Sequence, residues 1–290
     1  MTVDLEKALG YAFAPRPFTY TERDAALYAL AIGAAADPVD RTALRQVYEL
    51  HGKGMQVFPT FAATFVFAVL DQLLAVPGLK YNPVLLLHGE QALTLKRPLP
   101  RRASLTNHAH ISQIYDKGKG ALVIVDVSSR DEHGEEVAFN QSSMFIRGLG
   151  GFGGERGPVS AAPTLPERPP DAVHRARTQP NQALLYRLAG SDPNPLHADP
   201  QVAALAGYER PILHGLCTFG FAARAVLETY ADNDAARFER IQVRFSRHVF
   251  PGETLVTEMW RAAENEILFQ VKVAERDEVV LSNARLTLRA

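Results

Sequence analysis

The sequence predicts an α+β protein built from two similar halves, each a sheet curled around one long buried helix. Three observations lead there. A set of landmarks recurs in the same order, each recurrence contains a long apolar stretch, and each stretch is followed by short segments of strand character. A helix that is apolar nearly all round must be covered, and a sheet with one apolar face supplies the cover, which is the layer logic of α+β folds.

The first half runs over residues 1–147. Tyr28-Ala-Leu-Ala-Ile-Gly33 precedes Asp37-Pro38, and Pro59-Thr-Phe-Ala opens the apolar stretch Phe61 to Leu74, enough for a helix of three or more turns. Pro100-Arg-Arg-Ala-Ser-Leu105 then leads into strand-like runs, Leu122 to Ser128 and Glu136 to Ile146. The second half, residues 181–290, repeats the order. Tyr186-Arg-Leu-Ala-Gly-Ser191 precedes Asp192-Pro193, Pro211-Ile-Leu-His opens Ile212 to Tyr230, and Pro251-Gly-Glu-Thr-Leu255 leads into Ile267 to Ala274 and Val279 to Leu288. Four landmarks in one order indicate a duplication.

Between the halves, residues 148–180 hold six glycines and six prolines in 33 residues. Proline lacks the N–H a central strand needs and glycine is entropically costly to order, so this stretch reads as a surface linker.

Composition narrows the function. Thirty-one Lys+Arg against 32 Asp+Glu give a formal net charge of −1, which offers no general attraction to nucleic acid or to anionic membrane. No window approaches the ~18 uncharged apolar residues a spanning helix needs. Cys217 is the only cysteine, so no intrachain disulfide forms. The N-terminus lacks a signal-peptide core, and the chain ends Leu288-Arg289-Ala290 rather than on the Ser-Lys-Leu peroxisomal address. A cytoplasmic protein is the expectation. His51, His88, His108 and His110 stand singly, without metal-ligand spacing, so no metal is expected.

The unusual polar residues fall in one window. Asp192, Asn194 and His197 lie within six residues, separated by Pro193 and Pro195, which fix φ and stiffen the loop. A carboxylate, an amide and an imidazole at one spot form an acid–base set. The same Asp-Pro-Asn-Pro is also ordinary turn chemistry. Eighteen residues past His197, Gly215 follows His214 at the start of the second apolar stretch. Glycine there admits a ligand close to the backbone, and the unpaired N–H groups of a helix start suit a developing negative charge. Tight packing is the other use of such a glycine.

Tyr186 to Pro200, followed by Arg210-Pro-Ile-Leu-His-Gly-Leu-Cys-Thr-Phe-Gly220, resembles the signature of R-specific enoyl-CoA hydratases, the MaoC-like dehydratases, in their two-domain form. In the first half the resemblance continues through Tyr28-Ala-Leu-Ala-Ile-Gly33, Pro59-Thr-Phe61, Leu87-His-Gly-Glu-Gln91, Pro98-Leu-Pro100 and Tyr115-Asp-Lys-Gly-Lys-Gly-Ala121. It implies a double hot-dog fold and reversible hydration of trans-2-enoyl-CoA to the (3R)-hydroxyacyl-CoA, with no cofactor beyond the coenzyme A of the substrate. It implies Asp192 and His197 as the catalytic pair, Asn194 holding the water and the pair's geometry, and Gly215 offering its N–H to the thioester oxygen. His214, Phe61 and Phe65 are candidate substrate contacts; Phe61, Phe65 and Phe67 either line an acyl-tail tunnel in the first half or belong to its core, and core is the more common use of such residues. That half keeps Asp37-Pro38 but has no Asn or His at the matching places, so only the second half is expected to be catalytic. A homodimer is the expected assembly. The competing readings are a dehydratase of fatty-acid synthesis, a hot-dog thioesterase and a non-catalytic acyl-CoA-binding protein.

Overall fold

A computed structural model describes residues 1–158 and 163–290; residues 159–162 of the expected linker lie outside the described residues. Its main element is a ten-stranded antiparallel sheet. The first half gives β1 (Arg16–Tyr20), β2 (Leu86–Leu95), β3 (Ala103–Asp116), β4 (Gly120–Arg130) and β5 (Glu136–Arg147). The second gives β6 (Ala172–Arg177), β7 (Phe238–Phe245), β8 (Thr254–Ala263), β9 (Glu266–Val273) and β10 (Glu278–Leu288). In space they run β1-β3-β4-β5-β2-β7-β10-β9-β8-β6. The order within the second half is that of the first, reversed about the seam where β2 pairs with β7, Glu90 opposite Arg244 and Thr94 opposite Arg240. The repeat visible in the sequence is thus a repeat of topology, and the fold is the double hot-dog that the resemblance implied.

Burial alternates along the strands, as in β3, where Leu105, Asn107, Ala109 and Ile111 are buried and Thr106, His108 and His110 are less so. Period-two alternation puts one face on the core and leaves the other to solvent. The covered helix of the second half is α3 (Gly215–Tyr230), in which every residue from Leu216 to Leu227 is buried. Burying a side chain such as Phe219 contributes about 1.5–3 kcal/mol, so this helix is held by its surroundings rather than by propensity.

The equivalent segment of the first half differs from the expected α-helix. Pro59–Val66 is a 3-10 helix, Phe67–Leu70 one α turn, and Asp71–Ala75 3-10 again. Two causes act together. Thr60, Thr64 and Val66 are β-branched and disfavour the α conformation. The carbonyls of Ala62 and Phe65 also accept hydrogen bonds from the sheet, Asn140 Nδ2 at 3.0 Å and Asn107 Nδ2 at 3.2 Å, so the helix answers to the sheet as well as to its own ladder.

The Gly/Pro stretch holds more structure than a linker: its residues 172–177 form β6, which pairs with β8 at the sheet's edge. An edge strand needs one partner only, and this one contains no proline.

The halves are also joined through helices. α1 (Glu22–Ala31) packs against α2 (Gln182–Ala189). The last carbonyls of α1 are taken by the other half: Gln182 Nε2 donates to Ala31 O at 2.7 Å and the buried Arg224 Nε to Ile32 O at 3.2 Å. At Gly220 the approach is so close that a Cβ would lie 2.4 Å from Ile32 Cγ2. Among the described residues, no helix is long and apolar enough to cross a membrane.

Candidate active site

Asp192, Asn194 and His197 sit between α2 and the helix Pro200–Leu205. Asp192 Oδ1 accepts the Asn194 N–H at 3.0 Å, and Asn194 Oδ1 accepts the Leu196 N–H at 3.0 Å. These turns cap the short 3-10 helix Pro195–His197 that aims the histidine. The turn reading and the acid–base reading of this motif therefore coexist: Asp192 Oδ1 shapes the loop and leaves Oδ2 free.

His197 Nδ1 lies 2.9 Å from Ile212 O. A carbonyl only accepts, so Nδ1 carries the proton and Nε2 keeps its lone pair. The imidazole is 9% exposed, and burial lowers its pKa below the usual histidine range. At neutral pH it is a neutral base with a fixed tautomer. Its ring stacks on His214, centroids 3.8 Å apart and planes 28° apart.

His214 is 1% exposed, and neither ring nitrogen has a hydrogen-bond partner among the described residues. Burial pushes its pKa down to about 2, so it is an uncharged plate between His197 and Tyr186, whose ring centroid lies 5.0 Å away. His214 lines the cleft at which a substrate contact is expected, with its imidazole packed against these rings and its Nε2 4.0 Å from Asp192 Oδ2. Asp192, His197 and His214 bring donor atoms within 4.8 Å of one another, a cluster that spacing alone did not reveal.

Gly215 is the first residue of α3 and is exposed. The N–H at a helix start has no acceptor within the helix, and the helix dipole adds to its pull on negative charge. A Cβ here would meet Cδ1 and Cε1 of Phe245 at 3.0 Å, so glycine is required by close approach as well as by access.

These groups open into one cleft of about 1340 Å³. Asp192, Asn194, His197, His214 and Gly215 line one wall, and Val66, Phe67, Leu70, Leu122, Ile124 and Met144 of the first half line another. Phe61 and Phe65 are absent from it. Both are buried in an aromatic cluster, Phe61 edge-on to Tyr20 at 5.1 Å and Phe65 4.6 Å from Phe18, so their expected role as substrate contacts is corrected to core. Of the three phenylalanines only Phe67 reaches the cleft along this segment, with Val66 and Leu70.

Asp37 shows what the first half has kept. Its Oδ1 accepts the Val39 N–H at 3.0 Å, the same turn as at Asp192, with no histidine at the matching place.

The sequence also passed over His88 and Phe245. His88 belongs to the quoted Leu87-His-Gly-Glu-Gln91 but was given no role; the glycine inside a strand was the available signal for a bulge.

The sequence matches the MFE-2 hydratase 2 N-terminal domain over residues 18–148 and the MaoC like domain over residues 161–284. It is 46% identical over 277 residues to the peroxisomal enoyl-CoA hydratase 2 of Arabidopsis thaliana, covering 91% of this chain and 89% of that one. Peroxisomal multifunctional enzyme type 2 of Mus musculus is 48% identical over 286 residues, covering 97% of this chain and 38% of that longer protein. A crystal structure of a MaoC-like dehydratase from Phytophthora capsici superposes with a TM-score of 0.88 at 36% identity, covering 99% of both chains. Both named enzymes are peroxisomal, which corrects the cytoplasmic expectation toward a peroxisomal setting. That expectation rested on missing signals, and a missing signal does not name a compartment.

Proposed function

Because the chain belongs to the MaoC-like enoyl-CoA hydratase 2 family, we propose that it adds water reversibly across the double bond of trans-2-enoyl-CoA to give the (3R)-hydroxyacyl-CoA. The observation that carries this is the convergence of a neutral, tautomer-fixed His197, the free oxygen of Asp192 and the open N–H of Gly215 on one cleft.

The enoyl thioester is electrophilic at C3. A water held between Asp192 and His197 gives a proton to the pair as its oxygen bonds to C3. The electrons of the double bond move onto the thioester oxygen, which accepts the Gly215 N–H. The pair then returns a proton to C2, so one water is added and the pair is restored. A donor of this kind typically lowers the barrier by about 2.7–4 kcal/mol. Asn194 contributes by capping the loop that holds the pair. The apolar wall from Val66 to Leu70 receives the acyl tail. The scheme draws on no metal or redox cofactor. Leu184 and Leu188, exposed one helical turn apart on α2, support a homodimer by offering apolar surface to a second copy.

The test is loss of the conjugated thioester absorbance with purified protein and trans-2-enoyl-CoAs, without added cofactor, followed by chiral analysis. The (3R) product is expected. The (3S) product, or free coenzyme A as the main product, would reject the scheme. Light scattering of the same sample reports the assembly.

A further inference from the structure

The cleft wall beside Gly215 contains a ring pair that the catalytic scheme does not use. Strand β2 is bulged between His88 and Glu90: His88 pairs with Met144 and Glu90 with Ser143, so Gly89 is the extra residue. In a regular strand residues 88 and 91 would face opposite sides of the sheet; one extra residue brings them to the same side. His88 Nε2 is accordingly 3.0 Å from Gln91 Oε1. Gln91 is itself held on both ends, Ser142 Oγ donating to Oε1 at 2.7 Å and Nε2 donating to Asn140 Oδ1 at 2.9 Å. The imidazole of His88 is therefore fixed by hydrogen bonds within the first half. Its ring lies 4.9 Å from that of Phe245, and Phe245 is the ring that a Cβ on Gly215 would strike at 3.0 Å. His88, Phe245 and Gly215 form one continuous line of contacts across the seam between the halves.

We propose that His88, from the half without catalytic groups, is a positioning residue for the catalytic half: it braces Phe245 against Gly215 and so fixes where the Gly215 N–H points. This rests on the reading of Gly215 as the donor to the thioester oxygen. The physical need is plain, since such a donor must be aimed at the oxygen's position in the transition state and not merely be near it. Misplacement by about 1 Å costs on the order of 100-fold in rate, so a brace worth a few tenths of an ångström is worth several-fold. Burial holds the His88 imidazole neutral, its pKa down to about 4, so the ring acts through shape and not charge.

The test compares His88→Ala, His88→Phe and Phe245→Leu in the full chain, with steady-state hydration of the four-carbon enoyl-CoA and a thermal melt for each. The four-carbon substrate reports on the reacting end without the acyl wall. His88→Ala should lower kcat several-fold, to about tenfold, with KM nearly unchanged. The phenyl ring of His88→Phe should restore most of kcat. Phe245→Leu should match His88→Ala, and the double variant His88→Ala/Phe245→Leu should lose little more than either alone, because one brace can be removed only once. The inference is overturned by an unchanged kcat in His88→Ala, by failure of the phenyl ring to restore it, by a rise in KM alone, or by additive losses in the double variant. If His88→Ala does not fold, His88→Phe and Phe245→Leu decide alone: near-normal kcat in the first and a several-fold loss in the second support the brace, and the opposite pattern overturns it. Failure of the underlying reading looks different, because Gly215→Ala would then leave kcat intact whatever His88 does.

Discussion

Gly215→Ala is the sharpest perturbation of the proposed chemistry, because its size follows from geometry. The added methyl would meet two carbons of the Phe245 ring at 3.0 Å, where ordinary contacts begin near 3.4 Å. A gap of about 0.4 Å must therefore open. The His88 ring packs on that of Phe245 at 4.9 Å between centroids and resists its displacement. Part of the shift falls on the backbone at residue 215 and turns its N–H. Scaling from about 100-fold per ångström gives a loss in kcat of roughly 3- to 10-fold, below the 10²–10³ expected for removing the donor altogether. Overpacking costs about 1–3 kcal/mol of stability, and replacing a glycine in a helix returns up to about 1 kcal/mol, so the melting temperature should fall only slightly. The assay is hydration of a short enoyl-CoA at saturating substrate beside a thermal melt. An unchanged kcat with a normal melt would refute the oxyanion role, as would a change confined to KM.

Asp192→Asn and His197→Gln should each lower kcat by about 10²–10⁴-fold with the melt retained, whereas Asp37→Asn should leave it near the parent value; equal losses at Asp37 and Asp192 would reverse the assignment of halves. The acid limb of kcat/KM should lie below the ordinary histidine value of about 6.5, since burial lowers the His197 pKa and only the neutral ring can take the proton. Stability should follow the same sign: His88 and His214 are held neutral in the fold at about 4 and about 2. Below about pH 6.5 the unfolded chain therefore binds protons that the folded one refuses. The melting temperature should thus be highest above that pH and decline toward pH 4, and His88→Phe should flatten the decline. Leu70→Trp should lower kcat/KM for a ten-carbon enoyl-CoA and spare the four-carbon one, because Leu70 lines the cleft. Phe65→Ala should instead cost about 3–5 kcal/mol of stability and affect both substrates alike, as a core residue does.

The duplication, the helix at Gly215 and the loop at Asp192 were legible because each leaves a local pattern: repeated landmarks, an unbroken apolar run, prolines spaced through polar residues. What was not legible depended on partners far away in sequence. The 3-10 character of Pro59–Val66 comes in part from Asn107 and Asn140 reaching it from the sheet, and no local propensity encodes that. Whether Phe61, Phe65 and Phe67 line a tunnel or the core could not be told from the sequence, because which face of an apolar helix meets ligand is decided by what packs on it, here Phe18 and Tyr20 on Phe61 and Phe65. The packing of the His214 imidazole between His197 and Tyr186 was not legible either, because the fold alone brings those rings together. β6 escaped notice because its neighbourhood is rich in glycine and proline while its own six residues are not.

The exchange of carbonyl caps at the end of α1 bears on how such a protein can be recombined. Ala31 and Ile32 of one half are served by Gln182 and Arg224 of the other. Expressed without the first half, the second would keep the Arg224–Glu228 ion pair but lose the acceptors of Arg224 Nε and Gln182 Nε2, and an orphaned polar group that stays buried costs about 1–3 kcal/mol. A chimera that draws its acyl wall from one relative and its catalytic loop from another inherits two unmatched sides of this joint. A crossover placed in residues 148–158 separates Ala31 and Ile32 from Gln182 and Arg224, and because the acceptors are main-chain carbonyls it is viable when the incoming second half supplies donors at those two positions.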